Sequence, residues 1–187
     1  PPWSDEGQPR PPGDPSVNIL GLVPYVYDTA PGQRFRIVQW ARILERQGVR
    51  IRFEPFESER LRQIVRLPGH HQEKFGEIVR CIRRRIRLLA AIDGAWDAVF
   101  VYREILPIGP PILERMMARR GLPIVYDFDD AIFLPDVSEA NRRFKWLKWP
   151  RKVATICRLS AHVTVGNRYL GEFASRHAGR VAVVPST

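Results

Sequence analysis

GLPIVYDFDDAIFLP, residues 121–135, is the stretch from which the fold can be read. Its apolar run of Ile124, Val125 and Tyr126 ends in three carboxylates, Asp127, Asp129 and Asp130, set among Phe128, Ala131, Ile132 and Phe133. Carboxylates repel one another and resist leaving water, so three of them at the end of a buried strand need a cation, a donor-rich ligand or solvent. In parallel α/β sheets ligands bind just beyond the carboxyl ends of the strands. The cluster is therefore expected at the floor of an active cleft.

Working outward, the same grammar repeats. Toward the N-terminus, Ile112 to Arg120 reads as a helix opened by Pro110-Pro111 and closed by Gly121. Before it, AVFVY at 98–102 reads as a third strand, with Arg103-Glu104 immediately after it on the same rim as the aspartates. Lys74 to Asp93 reads as a long helix with Phe75, Ile78, Val79, Ile82, Ile86 and Leu89 at helical spacing, so that stripe is expected inward and Arg80, Arg83, Arg84 and Arg87 outward, with Arg85 on the flank. Ser58 to Val65 is a short helical piece, broken from the long one by Pro68-Gly69-His70-His71. VRIRF at 49–53 is the second strand. VNILGLVPY at 17–25 is a nearly continuous apolar run of the kind a central parallel strand shows. Between these two strands lies a loop from Val26 to Arg34 with Pro31-Gly32-Gln33, then a helix from Phe35 to Gln47 whose buried stripe is Ile37, Trp40, Ala41 and Leu44. Gly48 suits the position after its end.

Toward the C-terminus, residues 151–160 read as a helix, HVTV at 162–165 as a fifth strand ending in Gly166-Asn167, Arg168 to His177 as a helix, and Val181 to Val184 as a sixth strand. Strands alternating with helices throughout predict an α/β class, a Rossmann-like parallel sheet of about six strands with helices on both faces.

The chain has 187 residues, enough for one well-packed domain. Residues 1–15 are Pro-rich without apolar period and are expected to be a flexible leader, with residues 16–187 forming the domain. The sequence begins with Pro and stops directly after an apolar strand, so it is expected to be a piece of a longer protein. No apolar run approaches the roughly 20 residues that span a bilayer, and no signal pattern stands at the start. Cys81 and Cys157 each sit inside a helical pattern and read as buried free thiols of a reduced, cytoplasmic compartment. The formal net charge of +10 calls for an anionic partner. The arginines of the long helix are either a solvated face or a surface for anionic lipid at the inner membrane face. The segment 138–152, in which Trp146 and Trp149 alternate with lysines, fits a membrane interface, a lid, a single-stranded nucleic-acid platform or simply core tryptophans with solvated lysines.

Candidate chemistry collects at the strand ends. Gly32 lets backbone approach a ligand, and a helix N-terminus with Arg34 and Arg36 favours an anion such as phosphate. Gln33, Arg103, Glu104 and Asn167 complete the set of expected substrate contacts around Asp127, Asp129 and Asp130. The four histidines have no cysteine nearby, so no metal site is expected. No G-x-G-x-x-G follows the first strand, which argues against a dinucleotide cofactor, and neither a P-loop nor a G-x-S-x-G elbow is present.

PGQRFRIVQW after the first strand, VYREILPIGPPILE after the third, PIVYDFDDAIF, and AHVTVGNRYLGEFASRHAGRVAVVPST together resemble the N-terminal domain of a GT-B glycosyltransferase of the family-4, retaining kind, over Val17 to Thr187. That resemblance implies one half of a GT-B fold, the acceptor side, with a nucleotide-sugar donor held by a C-terminal domain that this chain lacks. In the family the donor is gripped by two glutamates separated by seven residues, and no glutamates here have that separation. The chain alone is then expected to be inactive, the acceptor a glycan or lipid-linked sugar, and no nucleic acid or cofactor is expected. Residue by residue, the resemblance sets Gly32 in the loop that approaches the donor diphosphate. Asp129-Asp130 stand where many relatives have His-Asp at the end of the fourth strand. Asp129 is then expected to position the sugar and to stabilise positive charge developing at its anomeric carbon, because the departing phosphate can itself take the acceptor proton. Arg103 and Asn167 become acceptor or phosphate contacts.

Two other readings stay open on sequence alone. IVYDFDDA also fits the strand-then-Asp-x-Asp start of a haloacid dehalogenase-type phosphatase, with Asp127 as nucleophile and Asp129 as acid over Mg²⁺. The basic stretches also fit a non-enzymatic module for membrane or nucleic acid.

Overall fold

Val17–Val23 (β1), Val49–Pro55 (β2), Ala98–Tyr102 (β3), Ile124–Phe128 (β4), His162–Val165 (β5) and Val181–Val183 (β6) pair, all parallel, into one sheet of order β2-β1-β3-β4-β5-β6. This computed structural model describes residues 16–92, 94–134, 149 and 151–185. The leader expected at 1–15 and most of the tryptophan–lysine segment lie outside the described residues.

The central strands β1 and β3 are largely apolar on both sides because both sides are covered, while edge strand β2 alternates Arg50, Arg52 and Glu54 with Val49, Ile51 and Phe53. Leu20, Leu22, Val99, Val101, Tyr126, Phe128, Val163 and Val165 point to one face. There they meet Leu89 of α4 (His71–Ala90), Leu113 and Met117 of α5 (Ile112–Arg119), Val153 and Ile156 of α6 (Lys152–Leu159) and Leu170 and Ala174 of α7 (Arg168–Ser175). Val23, Ile51, Phe53, Phe100 and Tyr102 point to the other face, against Ile37, Val38 and Ala41 of the first connection.

That first connection is helical from Pro31, earlier than the apolar spacing predicts. It comprises α1 (Pro31–Gln33), a π-helical turn over Arg34–Val38, and α2 (Gln39–Glu45). Proline is tolerated in a first turn because its missing N–H has no partner there anyway, so Gly32 and Gln33 join the helix instead of the loop. The wide turn shifts the phase of the inward face. Arg36, Ile37 and Val38 are buried in succession, while Trp40, expected in the core, stands 41% exposed with its Nε1 donating to Phe35 O at 3.1 Å. Gly48 ends the run with φ +80°, as its position predicts.

The long helix also turns differently from expectation. Its core-facing row is Glu77, Cys81, Arg85 and Leu89, at the i, i+4 spacing that stacks side chains on one face. Phe75 and Ile86 of the expected stripe are 69% and 43% exposed. Polar groups occupy the inward row because partners await them. Ser58, capping α3 (Glu59–Ile64) by accepting from Leu61 N, donates to Glu77 Oε2 at 3.2 Å, and Arg85 Nη2 donates to Val23 O at 3.1 Å. Burial, helped by the neighbouring charge of Arg84 and opposed by Glu54, lowers the Arg85 pKa to about 10.

Cys81 and Cys157 are both free and buried, and burial pushes the Cys157 thiol up to about 12. Since the thiolate is the reactive species, neither should react with an aromatic disulfide reagent in the folded chain, and both should react within seconds in denaturant. Rapid native labelling of either would contradict this packing. No helix among the described residues is long and apolar enough to cross a membrane.

Candidate functional site

At the carboxyl edge of β3 and β4 the chain gathers an open cluster of charge. Tyr102 ends β3 fully buried, and its hydroxyl donates to Asp129 Oδ1 at 2.8 Å. Arg103 follows with φ +66°, an uncommon region for a residue with a side chain. The turn folds its guanidinium back to 5.3 Å from the Tyr102 ring centroid. From there Nη2 reaches Asp129 Oδ1 at 3.4 Å and Asp130 Oδ2, while Nη1 reaches the Tyr25 hydroxyl at 3.4 Å. Burial opposes the charge on Arg103, but the two tyrosines and two aspartates outweigh it and hold its pKa above the ordinary value. The Tyr102 hydroxyl is held well above its ordinary value, chiefly by burial.

Two glycines make this approach sterically feasible. A Cβ on Gly32 would lie 2.7 Å from both Asp129 Oδ2 and Tyr102 Oη, and a Cβ on Gly166 would lie 3.2 Å from Asp129 Cα. Neither glycine has a positive φ among the backbone exceptions, so the requirement is space. Gly32→Ala is expected to push Asp129 off Tyr102 while leaving the core intact. The check is a crystal structure or the Tyr102 ring shifts of the variant, and an unmoved Tyr102–Asp129 bond would refute it.

Below this cluster, not within it, lies Asp127. Its residue is 1% exposed, and Arg36 grips it through Nε to Oδ2 at 2.9 Å and Nη2 to Oδ1, while the Thr164 hydroxyl donates to Oδ1. The two charged side chains are each 2% exposed. The third guanidinium nitrogen, Nη1, donates to Val184 O just past β6. Burial presses the Asp127 pKa upward, against the pull of Arg36 and Thr164. A carboxylate sealed and bonded in this way cannot meet a substrate as a nucleophile, which removes the residue on which the phosphatase reading depends. Arg36 likewise is a buried clamp and not a surface anion contact.

The remaining expected contacts disperse. Gln33 is 1% exposed and hooks the loop onto α1, accepting from Tyr25 N at 3.1 Å and donating to Tyr25 O at 2.9 Å. Arg34 makes an exposed pair with Asp28 at 3.2 Å. Glu104 diverges from its neighbour Arg103 and lies 3.6 Å from the buried Lys152 Nζ of α6. Asn167 spends its side-chain oxygen as the N-cap of α7, accepting from Leu170 N at 3.0 Å. Gly32, Arg103, Asp129 and Asp130 are thus the expected residues that the fold brings together.

Four participants were not singled out in the sequence: Tyr25, Tyr102, Thr164 and Gly166. Strand alternation carried the signal for two of them. Tyr102 pairs with Asp127 and Asp127 with Thr164 in register, and parallel partners share a face.

No family model and no curated protein matches this sequence. Among solved structures the chain is similar to one described as the crystal structure of LpCGTa in complex with UDP, with a TM-score of 0.46 and 13% identity. The match covers 91% of this chain and 53% of that one, so this chain spans about half the length of the protein it resembles.

Proposed function

We propose that this chain is the acceptor-side, N-terminal half of a glycosyltransferase, moving a sugar from a nucleotide-sugar donor to a glycan or lipid-linked acceptor with retention of configuration. The observation that carries the reading is the Asp129 carboxylate, partly buried at the sheet's carboxyl edge, with Oδ1 held by Tyr102 and Arg103 and Oδ2 seated against Gly32 in the space a side chain there would take. A carboxylate fixed by two donors is a preorganised negative charge. In transfer the bond from the anomeric carbon to the donor phosphate oxygen breaks, the acceptor oxygen bonds to that carbon, and the acceptor proton passes to the departing phosphate. Asp129 accepts a hydrogen bond from a sugar hydroxyl and stabilises the positive charge of the transition state. Arg103 neutralises Asp130 and keeps the mouth hospitable to a phosphate.

The donor's nucleotide is left to a second domain, so this chain alone is inactive in this reading. The reaction calls for no cofactor, since the nucleotide-sugar is itself a substrate. Two buried free thiols agree with a reducing, cytoplasmic setting. The test is to supply the full-length protein with a panel of nucleotide-sugars and a cellular glycan and lipid fraction. Acceptor-dependent release of nucleoside diphosphate with a glycosylated product supports the proposal, and hydrolysis of phosphomonoesters without sugar transfer overturns it.

A further inference from the structure

The solvent side of α4 carries two parallel stripes. Phe75, Val79 and Ile86 follow one another at steps of four and seven, which keeps them on one flank of a helix, while Ile82 between them packs inward on Phe56, Leu61 and Cys81. Phe75 and Ile86, at the two ends of that stripe, are the most open, and Val65 and Leu67, 44% and 47% exposed, precede the helix. Lys74 Nζ donates to Leu67 O, so this apolar approach is fastened to the start of α4. Beside the apolar stripe runs a groove of about 680 Å³ lined by Gly76, Val79, Arg80, Arg83, Arg84 and Arg87.

A solvated arginine face ordinarily finds acids three or four residues away. Here no Asp or Glu occurs from Ile78 to Ile92. Arg80 is taken by Glu77 on the preceding turn, and Arg84 donates to Pro55 O and Phe56 O at 2.7 and 2.9 Å. Arg83 and Arg87 have no hydrogen bond or ion pair from their side chains among the described residues. Exposed apolar groups and unpaired cations in adjacent, straight rows along a helix about 30 Å long match a planar surface that is oily within and acidic at its edge.

We infer that this face of α4 docks on a membrane, Phe75 and Ile86 entering the acyl boundary while Arg83 and Arg87 take phosphate groups of acidic phospholipids. A single-stranded nucleic acid would instead want a row of stacking aromatics, and α4 offers one, Phe75. The Arg84 and Arg85 heads meet the tips of β1 and β2. The earlier turns of α4, with α3 packed on them through Leu61 and Cys81, therefore run on beyond the carboxyl edge of the sheet. The membrane face thus lies toward the same edge as the acid cluster. The inference does not depend on sugar transfer, since binding needs no turnover.

Flotation of the full-length protein with phosphatidylcholine vesicles, with and without a quarter phosphatidylglycerol, tests it. Binding is expected only with the acidic lipid. Arg83→Ala with Arg87→Ala should weaken it about 30-fold, and Phe75→Ser with Ile86→Ser about tenfold, each without moving the thermal midpoint because these side chains are outside the core. Equal binding to neutral vesicles, no vesicle binding, affinity undiminished in both double variants, or binding of single-stranded RNA in place of vesicles would overturn it.

Discussion

Arg36→Ala is expected to remove about 3–5 kcal/mol of folding stability, the usual consequence of stripping the partner from a buried ion, out of a total of about 5–15 kcal/mol for a domain. The variant leaves Asp127 sealed under the first helix with Thr164 as its remaining donor. It also frees Val184 O. The pH dependence follows from sign. Burial already raises the Asp127 pKa, and losing Arg36 removes the leading opposing influence. A carboxyl whose pKa is raised by folding contributes stability in acid and loses it as pH rises through the folded value. The deficit of Arg36→Ala should therefore be smallest in acid and should widen as pH climbs above the ordinary carboxylate range. Urea denaturation at several pH values checks this, and a deficit independent of pH would exclude Asp127 as its source. Because well-packed apolar residues can replace a buried pair at little cost, Arg36→Met with Asp127→Leu should recover most of the loss.

Asp129→Asn is expected to lower kcat/KM for sugar transfer by a factor on the order of 10²–10³, the magnitude typical of removing one preorganised electrostatic contact. Asparagine preserves the shape and can still accept from Tyr102, so the fold should stand and the thermal midpoint should be unchanged. Asp130→Asn is the control within the cluster. Its side chain is 60% exposed against 15% for Asp129, and solvent screens what it contributes. Its effect should be about tenfold or less. Near-normal transfer by Asp129→Asn would take that residue out of the site, and a larger loss at Asp130 would move the chemistry outward onto it.

The sheet was legible because its strands are short apolar runs bounded by Gly, Pro and polar residues. β3 and β5 fall on the residues that the pattern assigns, and β4 runs through Asp127 to Phe128, stopping just before Asp129 and Asp130. The convergence of Gly32, Arg103, Asp129 and Asp130 followed from topology alone. What composition could not separate is Asp127 from Asp129. The two differ by which part of the first connection meets them, the Arg36 guanidinium of the π-helical turn at Asp127 and the bare Gly32 of α1 at Asp129. The turn of α4 was hidden for a related reason. Two rows, one apolar and one mixed, both keep helical spacing, and the mixed row went inward because Ser58 and Val23 O were there to receive Glu77 and Arg85.

A single guanidinium holds both the carboxylate of the fourth strand and the carbonyl just past the sixth. The direction in which the backbone leaves the sheet is therefore set from inside the domain. A displacement of the backbone at Val184 would therefore be felt first at Asp127, through the one guanidinium that binds both.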